Sequence, residues 1–448
     1  MSKLRTVVSL SVYPFLLSLP IAAATCESLA SLKLPNTSLA AETVAAGTFM
    51  PPGELPGPAD LAVYKTLPAF CRVQGTIRPS ADSHIEFEVW LPSAGWNGKY
   101  MGTGNYDLAG YINYAHEAPL GNNPGLAYLR AGYATSSTDT GHRITGPDSQ
   151  WAMGHPEKIV DWGYRGIHET AEKSKAIISA FYGNAPKHSY FSGCSNGGRQ
   201  GLMETQRFPA DYDGIISGAP AISITHLSAA LWTNAQSIEA DPARKIRPQK
   251  FPAVQSAILA ACDSLDGLKD GLIDDPRKCH FDPAALLCQG PETDACLTQP
   301  QIEVLKKLYG GTRTSTGELI YPGNLPGADW RFWFAMPARI LKNRGAYLIY
   351  QNPDWDYHSF NVDSEVKIAD GTIGPIVNAT NPNLTVFQKP RRKADSLPGL
   401  GRSQRGSRRH AQLLREGCGG NRPERRRRFH PALSGPRHVA LWRRSRTQ

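Results

Sequence analysis

Alternating apolar and polar positions predict several short β-strands in the first half of the chain. In residues 85–91, Ile-Glu-Phe-Glu-Val-Trp-Leu, apolar residues alternate with Glu86 and Glu88, which predicts a clear strand. Residues 96–105 and 132–142 each indicate a strand that runs into a loop or turn, and residues 214–218 indicate a buried strand. Residues 26–79 are rich in proline and predict an irregular segment, apart from one strand near its end.

Helical periodicity appears between and after these strands. Residues 161–182 have the apolar repeat of an amphipathic helix, and residues 200–207 form a helix-compatible run. Strands that alternate with helices predict an α/β protein with a mostly parallel sheet covered on both faces. From about 222 to 377 the pattern changes to helix-prone segments, irregular loops, four cysteines and many aromatic residues. We therefore expect a second unit in this part of the chain.

Length and charge narrow the class of protein. A chain of 448 residues exceeds one minimal domain, and 41% hydrophobic residues is ordinary for a globular protein. The net charge of +10 is unevenly distributed, because residues 389–448 hold 18 of the 49 basic residues and 3 of the 39 acidic ones. That segment carries +15 and the preceding residues carry −5, so we expect no nucleic-acid partner for the folded part.

The first 24 residues predict a signal peptide. Lys3 and Arg5 form a basic start, residues 7–21 are apolar, and residues 22–24 are three alanines at a cleavage site. The apolar stretch is short and contains two prolines, which disfavours a membrane anchor. We expect an exported protein, secreted or periplasmic, in which the 8 cysteines are candidates for disulfides.

The most informative stretch is Gly193-Cys-Ser-Asn-Gly197, which lies between an apolar β-prone run and a helix-compatible run. This is the G-x-S-x-G nucleophile elbow in its strand–turn–helix context. A serine hydroxyl is a useful nucleophile only when it projects from a sharp turn, and the flanking glycines let strand and helix pass without a clash. The sequence predicts Ser195 as nucleophile and the Asn196 N–H as an oxyanion donor. The alternative is a glycine-rich turn without chemistry.

The elbow, together with Phe-Pro-Ala-Asp-Tyr-Asp-Gly-Ile-Ile-Ser-Gly-Ala-Pro-Ala at 208–221, resembles the tannase and feruloyl esterase family of α/β-hydrolases. The resemblance runs from about residue 26 to about residue 387. It implies an α/β-hydrolase fold with a large inserted lid. The catalytic domain would span residues 25–221 and resume at 378–388, and the lid would span 222–377.

The resemblance also implies a function. Family members are secreted serine esterases that hydrolyse esters of aromatic acids, such as feruloyl, galloyl or terephthalate esters, through an acyl-enzyme, and no organic cofactor is implied. Residues 104–110, Gly-Asn-Tyr-Asp-Leu-Ala-Gly, occupy the place of a family loop that supplies the second oxyanion N–H. We assign that role to Tyr106, with a substituted surface loop as the alternative.

A second motif, at 262–279, contains aspartates separated by three and four residues, with glycines that allow a tight loop. Clustered hard oxygen donors suit Ca²⁺, and the alternative is a solvated acidic loop closed by a disulfide between Cys262 and Cys279. The resemblance implies a structural calcium ion that holds the lid together. Its implied ligands are the side chains of Asp263, Asp266 and Asp270 and the carbonyls of Leu268 and Leu272.

Other cysteine pairs follow from the family or from proximity. The resemblance implies a disulfide between Cys26 and Cys71, and Cys288 and Cys296 are close enough in sequence to pair within the lid. In relatives the cysteine that corresponds to Cys194 pairs with a cysteine immediately after the catalytic histidine.

From Lys389 onwards the family pattern stops. Relatives carry G-W-A-D with the catalytic aspartate and P-G-M-x-H-C with the histidine, and this sequence contains neither. A one-base shift lets residues 390–403 encode R-G-G-K-L-I-L-Y-Q-G-W-A-D-P, and residues from His430 onwards encode T-R-H-Y-L-V-P-G-M-S-H-C-G-G. We infer a reading-frame shift near Lys389.

The shift has consequences for the chain as written. We expect Ser195 to lack its base and acid, Cys194 to lack its partner, a sheet edge to be uncovered, and folding or activity to be impaired. The alternative function is a catalytically inactive relative that only binds aromatic ligands. A third hypothesis, a nucleic-acid or membrane-surface binder, depends only on the arginine-rich tail.

Overall fold

The structure is a computed structural model of the 448-residue chain. Several predicted features lie outside the residues that it describes: the signal peptide except for Ala24, and most of the arginine-rich tail. The described residues are 24–52, 58–114, 125–143, 148–328, 334, 336–388 and 438–442.

An eight-stranded mixed sheet organises the fold, with strand order β1-β2-β3-β5-β4-β6-β7-β10. Strands β5, β4, β6 and β7 run parallel to one another, whereas β1, β2, β3 and β5 pair antiparallel. The fold is therefore α/β, as predicted, but the expectation that the sheet is mostly parallel was wrong. Only residues 78–84 join β2 to β3, and a short connection of this kind favours antiparallel pairing. The connection from β1 to β2, residues 45–69, is longer and contains the helix Pro58–Lys65. The strands are β1 Thr37–Val44, β2 Phe70–Ile77, β3 Ile85–Pro92, β4 Lys99–Thr103, β5 Ala134–Thr138, β6 His188–Cys194, β7 Gly214–Gly218, β8 Thr312–Arg313, β9 Leu319–Tyr321 and β10 His438–Trp442.

Strand β1 corrects the prediction that residues 26–79 are irregular. It pairs with β2 over its full length, from Thr37 opposite Ile77 to Val44 opposite Phe70. As an edge strand it has one neighbour and buries little of its own surface, so its sequence has only a weak apolar alternation. The partner strand, rather than the local sequence, determines its conformation.

Helices pack against the sheet and recur throughout the described part of residues 222–377. Residues 161–182, predicted as one helix, begin with a wide turn at Asp161–Arg165 before the regular helix α3. Residues 238–308 enclose an apolar core of their own, which includes Val254, Ile258 and Leu305. The helices are α1 Pro58–Lys65, α2 Pro156–Val160, α3 Gly166–Tyr182, α4 Asn196–Arg207, α5 Ile224–Glu239, α6 Phe251–Cys262, α7 Gln299–Gly310, α8 Ala338–Asn343, α9 Val362–Thr372, α10 Gly374–Val377 and α11 Thr385–Gln388.

Several aromatic residues of the expected lid pack against one another. Trp232 is buried and contacts the rings of Tyr350, Trp355 and Phe360 at centroid distances of 5.9, 4.6 and 4.8 Å. These rings belong to an apolar core. No helix in the described part of the chain is long and apolar enough to cross a bilayer.

The predicted disulfides are present, and two expectations about the tail were wrong. Cys194 is disulfide-bonded, although we expected it to lack a partner; the eighth cysteine, Cys418, lies outside the described residues. The edge of β7 is also covered, because β10 pairs antiparallel with it over five residues. A tail segment therefore satisfies backbone groups that we expected to be exposed. The confirmed disulfides are Cys26–Cys71, Cys262–Cys279 and Cys288–Cys296.

Candidate active site

Ser195 occupies a strained turn between β6 and α4. Its backbone has φ 59° and ψ −116°, a conformation that non-glycine residues rarely adopt. Three backbone hydrogen bonds hold it there: its N–H donates to Gly218 (3.0 Å), and its carbonyl accepts from Arg199 (3.1 Å) and Ala221 (3.2 Å). The surrounding backbone therefore fixes the turn that a nucleophile elbow requires.

Close backbone approaches explain the glycines around Ser195. A Cβ on Gly193 would lie 2.6 Å from the Gly197 carbonyl, and a Cβ on Gly197 would lie 3.0 Å from the Asn105 carbonyl oxygen. A Cβ on Gly198 would lie 2.3 Å from the Gly218 oxygen. Strand, helix and neighbouring loop can pass this closely only without side chains at these positions.

Asn196 and Arg199 form a buried polar network at the start of α4. The Asn196 N–H lies in the first turn of the helix, where N–H groups have no intrahelical acceptor and can face an anion. Its side-chain oxygen accepts hydrogen bonds from Arg199 Nε (2.9 Å) and Nη2 (2.7 Å). Arg199 also donates to the carbonyls of Gly163 (2.8 Å) and Trp162 (3.1 Å) and lies over the Trp162 ring.

The guanidinium of Arg199 is fully buried, and this burial lowers its pKa to about 9. Its described partners are neutral, so it is a costly group that the fold retains for hydrogen bonding. Sequence reasoning missed Arg199, because its partners lie up to 178 residues away in sequence.

The loop that follows β4 packs directly on the elbow. The side-chain oxygen of Gln200 accepts from the Asn105 N–H (3.0 Å), and its Nε2 donates back to Asn105 Oδ1 (3.2 Å). Asn113 Nδ2 donates to the Gly104 carbonyl (3.0 Å). These buried amides position the candidate oxyanion loop against Ser195, and no local sequence signal identified them.

Tyr106, the predicted second oxyanion donor, lies in this loop. Its N–H donates to the Tyr111 hydroxyl at 2.9 Å. Burial raises the pKa of Tyr111, which keeps the hydroxyl neutral. An oxyanion would have to replace Tyr111 as the acceptor, so the role of Tyr106 stays a prediction.

In the described part of the chain, no imidazole hydrogen-bonds to Ser195. Asp139 and His142, which precede Ser195 in the chain, make other contacts. Asp139 accepts from the N–H groups of Glu86 (2.9 Å) and Gly141 (2.8 Å), and His142 stacks on Trp151 with centroids 3.7 Å apart. Burial raises the pKa of Asp139 and lowers that of His142 to about 3, so the imidazole is neutral.

Histidine–carboxylate pairs do occur elsewhere. His226 Nε2 lies 2.8 Å from Asp370 Oδ2 in a pocket of about 620 Å³ whose lining also includes Arg207 and Asn378 but not Ser195. We therefore do not place the ester in this pocket. Other such pairs in the described residues include His155–Asp82, His168–Asp211 and His358–Asp356.

The predicted calcium loop is exposed and turns at Gly267 and Gly271, both with φ above 70°. The oxygen donors of the loop are of the hard type that Ca²⁺ prefers. The Cys262–Cys279 disulfide closes the loop. The three carboxylates do not bring ligand atoms within 4.8 Å of one another among the described residues. Each accepts a loop N–H instead: Gly271 to Asp263 (3.0 Å), Leu268 to Asp266 (2.9 Å) and Leu272 to Asp270 (3.1 Å).

Comparisons with known proteins identify the family of the chain. The family model "Tannase and feruloyl esterase" matches residues 71–392. An "uncharacterized esterase" of Xanthomonas campestris is 41% identical over 397 residues, which cover 83% of this chain and 66% of that protein. A "probable feruloyl esterase B-2" of Aspergillus flavus is 33% identical and is matched over 71% of this chain and 60% of its own length.

Solved structures give the same result. The crystal structure of feruloyl esterase B from Aspergillus oryzae has a TM-score of 0.71 and 29% identity, and the match covers 81% of this chain and 72% of that one. Tannin acyl hydrolase from Aspergillus niger, at 19% identity and TM-score 0.62, shares the fold. The chain spans about 60 to 66% of the length of the two curated relatives named above. It is a member of the tannase and feruloyl esterase family.

Proposed function

We propose that this chain derives from an exported serine esterase that hydrolyses esters of aromatic acids. Ser195 attacks the ester carbonyl, the Asn196 N–H stabilises the oxyanion, the alcohol leaves, and water hydrolyses the acyl-enzyme. The strained turn at Ser195 carries the proposal, because its three backbone hydrogen bonds hold a conformation that a structural turn would not need. Family membership supports the reaction class.

The names of the relatives support the substrate class. Feruloyl esterase, the name of two of the relatives, denotes an enzyme that acts on feruloyl esters, and the family description names tannase beside it. We extend that class, rather than one ester, to this chain. Export is supported by the apolar amino-terminal stretch and by the disulfides.

The chain as written is impaired in this reaction. A serine needs a base to accept its proton and an acid to orient that base. The described residues offer Ser195 no imidazole, and the sequence from Lys389 onwards lacks both family motifs. A shifted reading frame near Lys389 accounts for their loss. Binding of aromatic ligands without turnover is the competing function for this exact polypeptide.

A structural calcium ion belongs to the same proposal. Asp263, Asp266 and Asp270 with the carbonyls of Leu268 and Leu272 would hold it, and a hard cation would relieve repulsion among the carboxylates. The ion would stiffen the disulfide-closed loop and take no part in ester chemistry.

The experiment compares two proteins, the chain as written and a chain with the frame restored near Lys389, each with and without Ser195→Ala. We expect the restored chain to hydrolyse feruloyl or galloyl esters and Ser195→Ala to abolish this, while the chain as written is at least 1,000-fold slower, on the order of a lost triad member. A folded but inactive restored chain would refute the esterase assignment. Equal rates for both proteins would refute the impairment.

A further inference from the structure

A buried cluster of ionisable groups lies behind the elbow helix, away from the ester chemistry. Glu204 is on α4, nine residues after Ser195, and Asp211 precedes β7. His168 and Lys175 reach Asp211 from α3: His168 Nδ1 lies 2.6 Å from Asp211 Oδ2, and Lys175 Nζ lies 3.0 Å from Oδ1. We call these four residues the Glu204 cluster.

Glu204 is the unusual member of the cluster. Its side chain is 1% exposed, and neither carboxylate oxygen has a hydrogen-bond partner. An ionised carboxylate in this position would lose its hydration without compensation and would face the carboxylate of Asp211, whose ligand atom lies within 4.8 Å. The two acids therefore cannot both be ionised without a large cost.

Asp211 is better able to carry the charge. Burial alone would raise its pKa, but the hydrogen bond from His168 and the positive charge of Lys175 together hold the pKa below its ordinary value. For Glu204, burial and then the Asp211 carboxylate raise the pKa well above its ordinary value. The environments of the two acids thus move their pKa values in opposite directions.

We propose that Glu204 is protonated at neutral pH and donates its O–H to the Asp211 carboxylate, which makes Glu204 a positioning residue for the nucleophile helix. A protonated carboxyl is a donor, so the contact becomes a charge-assisted hydrogen bond instead of a repulsion. It joins α4 to the segment before β7 and, through Asp211, to α3. The hydroxyl of Ser195 is not needed for this bond, so the inference is independent of esterase activity.

A metal ion is the competing occupant. His168, Glu204 and Asp211 form the only group of three potential ligands that converges within 4.8 Å among the described residues. Tetrahedral zinc would separate its ligand atoms by about 3.3 Å, given bonds of about 2.0 Å. The 2.6 Å contact between His168 and Asp211, and the ammonium of Lys175 on the other Asp211 oxygen, leave a proton as the better-fitting occupant.

The expected pH dependence of stability follows from the direction in which the pKa of Glu204 is shifted. Because Glu204 has a higher pKa when folded than when unfolded, its stabilisation is complete below the unfolded value of about 4.3 and is lost as pH rises towards the folded value. Burial also raises the pKa values of Tyr100 and Tyr212, so both hydroxyl groups stay neutral over the pH range in which Glu204 titrates. The groups that face the pair are His168, Glu172 and Lys175 from α3, Tyr100 from β4 and Tyr212 beside Asp211.

Infrared spectroscopy of the folded full chain tests the proton directly. We expect a carbonyl band of a protonated carboxyl group at pH 7, which disappears in Glu204→Gln. The control is Glu172→Gln, an exposed acid that lies 3.9 Å from His168 and should leave the band unchanged. A wild-type spectrum without the band at pH 7 would overturn the proposal.

Urea denaturation between pH 5 and 9 gives the second readout. As pH rises, the free energy of unfolding of wild type should fall more steeply than that of Glu204→Gln, and the difference in slope should correspond to one proton. The variant lacks this titration, because the glutamine amide donates to Asp211 at every pH. Equal pH slopes would contradict the proposal. Stoichiometric zinc binding that Glu204→Gln abolishes would assign the cluster to a metal instead.

Discussion

The nucleophile elbow and the acidic loop at 262–279 are both glycine-containing polar turns, yet different forces hold them. In the elbow, a Cβ on Gly198 would meet the Gly218 carbonyl oxygen at 2.3 Å. In the loop, no heavy atom lies within 4 Å of the Cβ position of Gly267 or Gly271. The elbow is shaped by packing from several elements, whereas the loop is shaped by its own backbone conformation and a disulfide.

The charged groups of the two turns differ in the same way. Arg199 is fully buried and donates to carbonyls and to the Asn196 side chain, whereas the Arg277 side chain is 56% exposed and pairs with Asp275 two residues away. Long-range contacts make the elbow intolerant of small changes. Local contacts let the acidic loop keep its shape when one group is altered, so its chemistry can be tested separately from its fold.

The largest effect is expected from Gly198→Ala. The new methyl group would overlap the Gly218 oxygen, and we expect the free energy of unfolding to fall by about 3 kcal/mol. Gly271→Ala is the matched change in the loop; with φ of 78° but free space, it should cost about 1 kcal/mol from backbone strain. Urea denaturation measures the free energy of unfolding of both variants. Equal losses would refute the claim that packing shapes the elbow but not the loop.

Replacement of Arg199, the buried cation, should cause the next largest loss in the free energy of unfolding. Arg199→Met keeps much of the volume but leaves Asn196 Oδ1 and the Gly163 carbonyl without their donor, at a cost of about 2 kcal/mol. The control, Arg277→Met, breaks an exposed pair and should cost less than about 1 kcal/mol. If Arg199→Met is as stable as wild type, the relief of the buried charge outweighs the lost hydrogen bonds.

The sequence identified the elements whose signals are local. The elbow needs only a strand, five residues and a helix, so Ser195 and its glycines could be placed without knowledge of the rest. Helix α3 and strand β3 likewise have apolar periodicities of their own. Strand β1 was missed because its conformation depends on pairing with β2.

Side chains that connect distant segments had no such signal. Gln200 meets Asn105 across 95 residues, and His168 meets Asp211 across 43. Each of these residues is an ordinary polar position in its own helix or loop, and only tertiary packing shows that it is buried and paired. The sequence therefore identified the candidate nucleophile but not the buried network around it.

The smallest effect, and the sharpest test of the loop, concerns calcium. At ten times its Kd, Ca²⁺ would stabilise the folded chain by about 1.4 kcal/mol. Asp266→Asn keeps a side-chain oxygen to accept the Leu268 N–H but removes a charge from the proposed ion site. We expect wild type to lose its calcium-dependent stabilisation in EDTA, and the variant to be less stable than wild type only when calcium is present.

Asp275→Asn is the matched control, because Asp275 lies in the same disulfide-closed loop but pairs with Arg277 and is outside the proposed ligand set. It should change stability equally with and without calcium. Thermal unfolding of all three proteins, in calcium and in EDTA, separates the cases. If wild type is insensitive to EDTA, or if Asp266→Asn destabilises equally in both conditions, the loop holds its shape by backbone hydrogen bonds and the disulfide alone, and the calcium proposal fails.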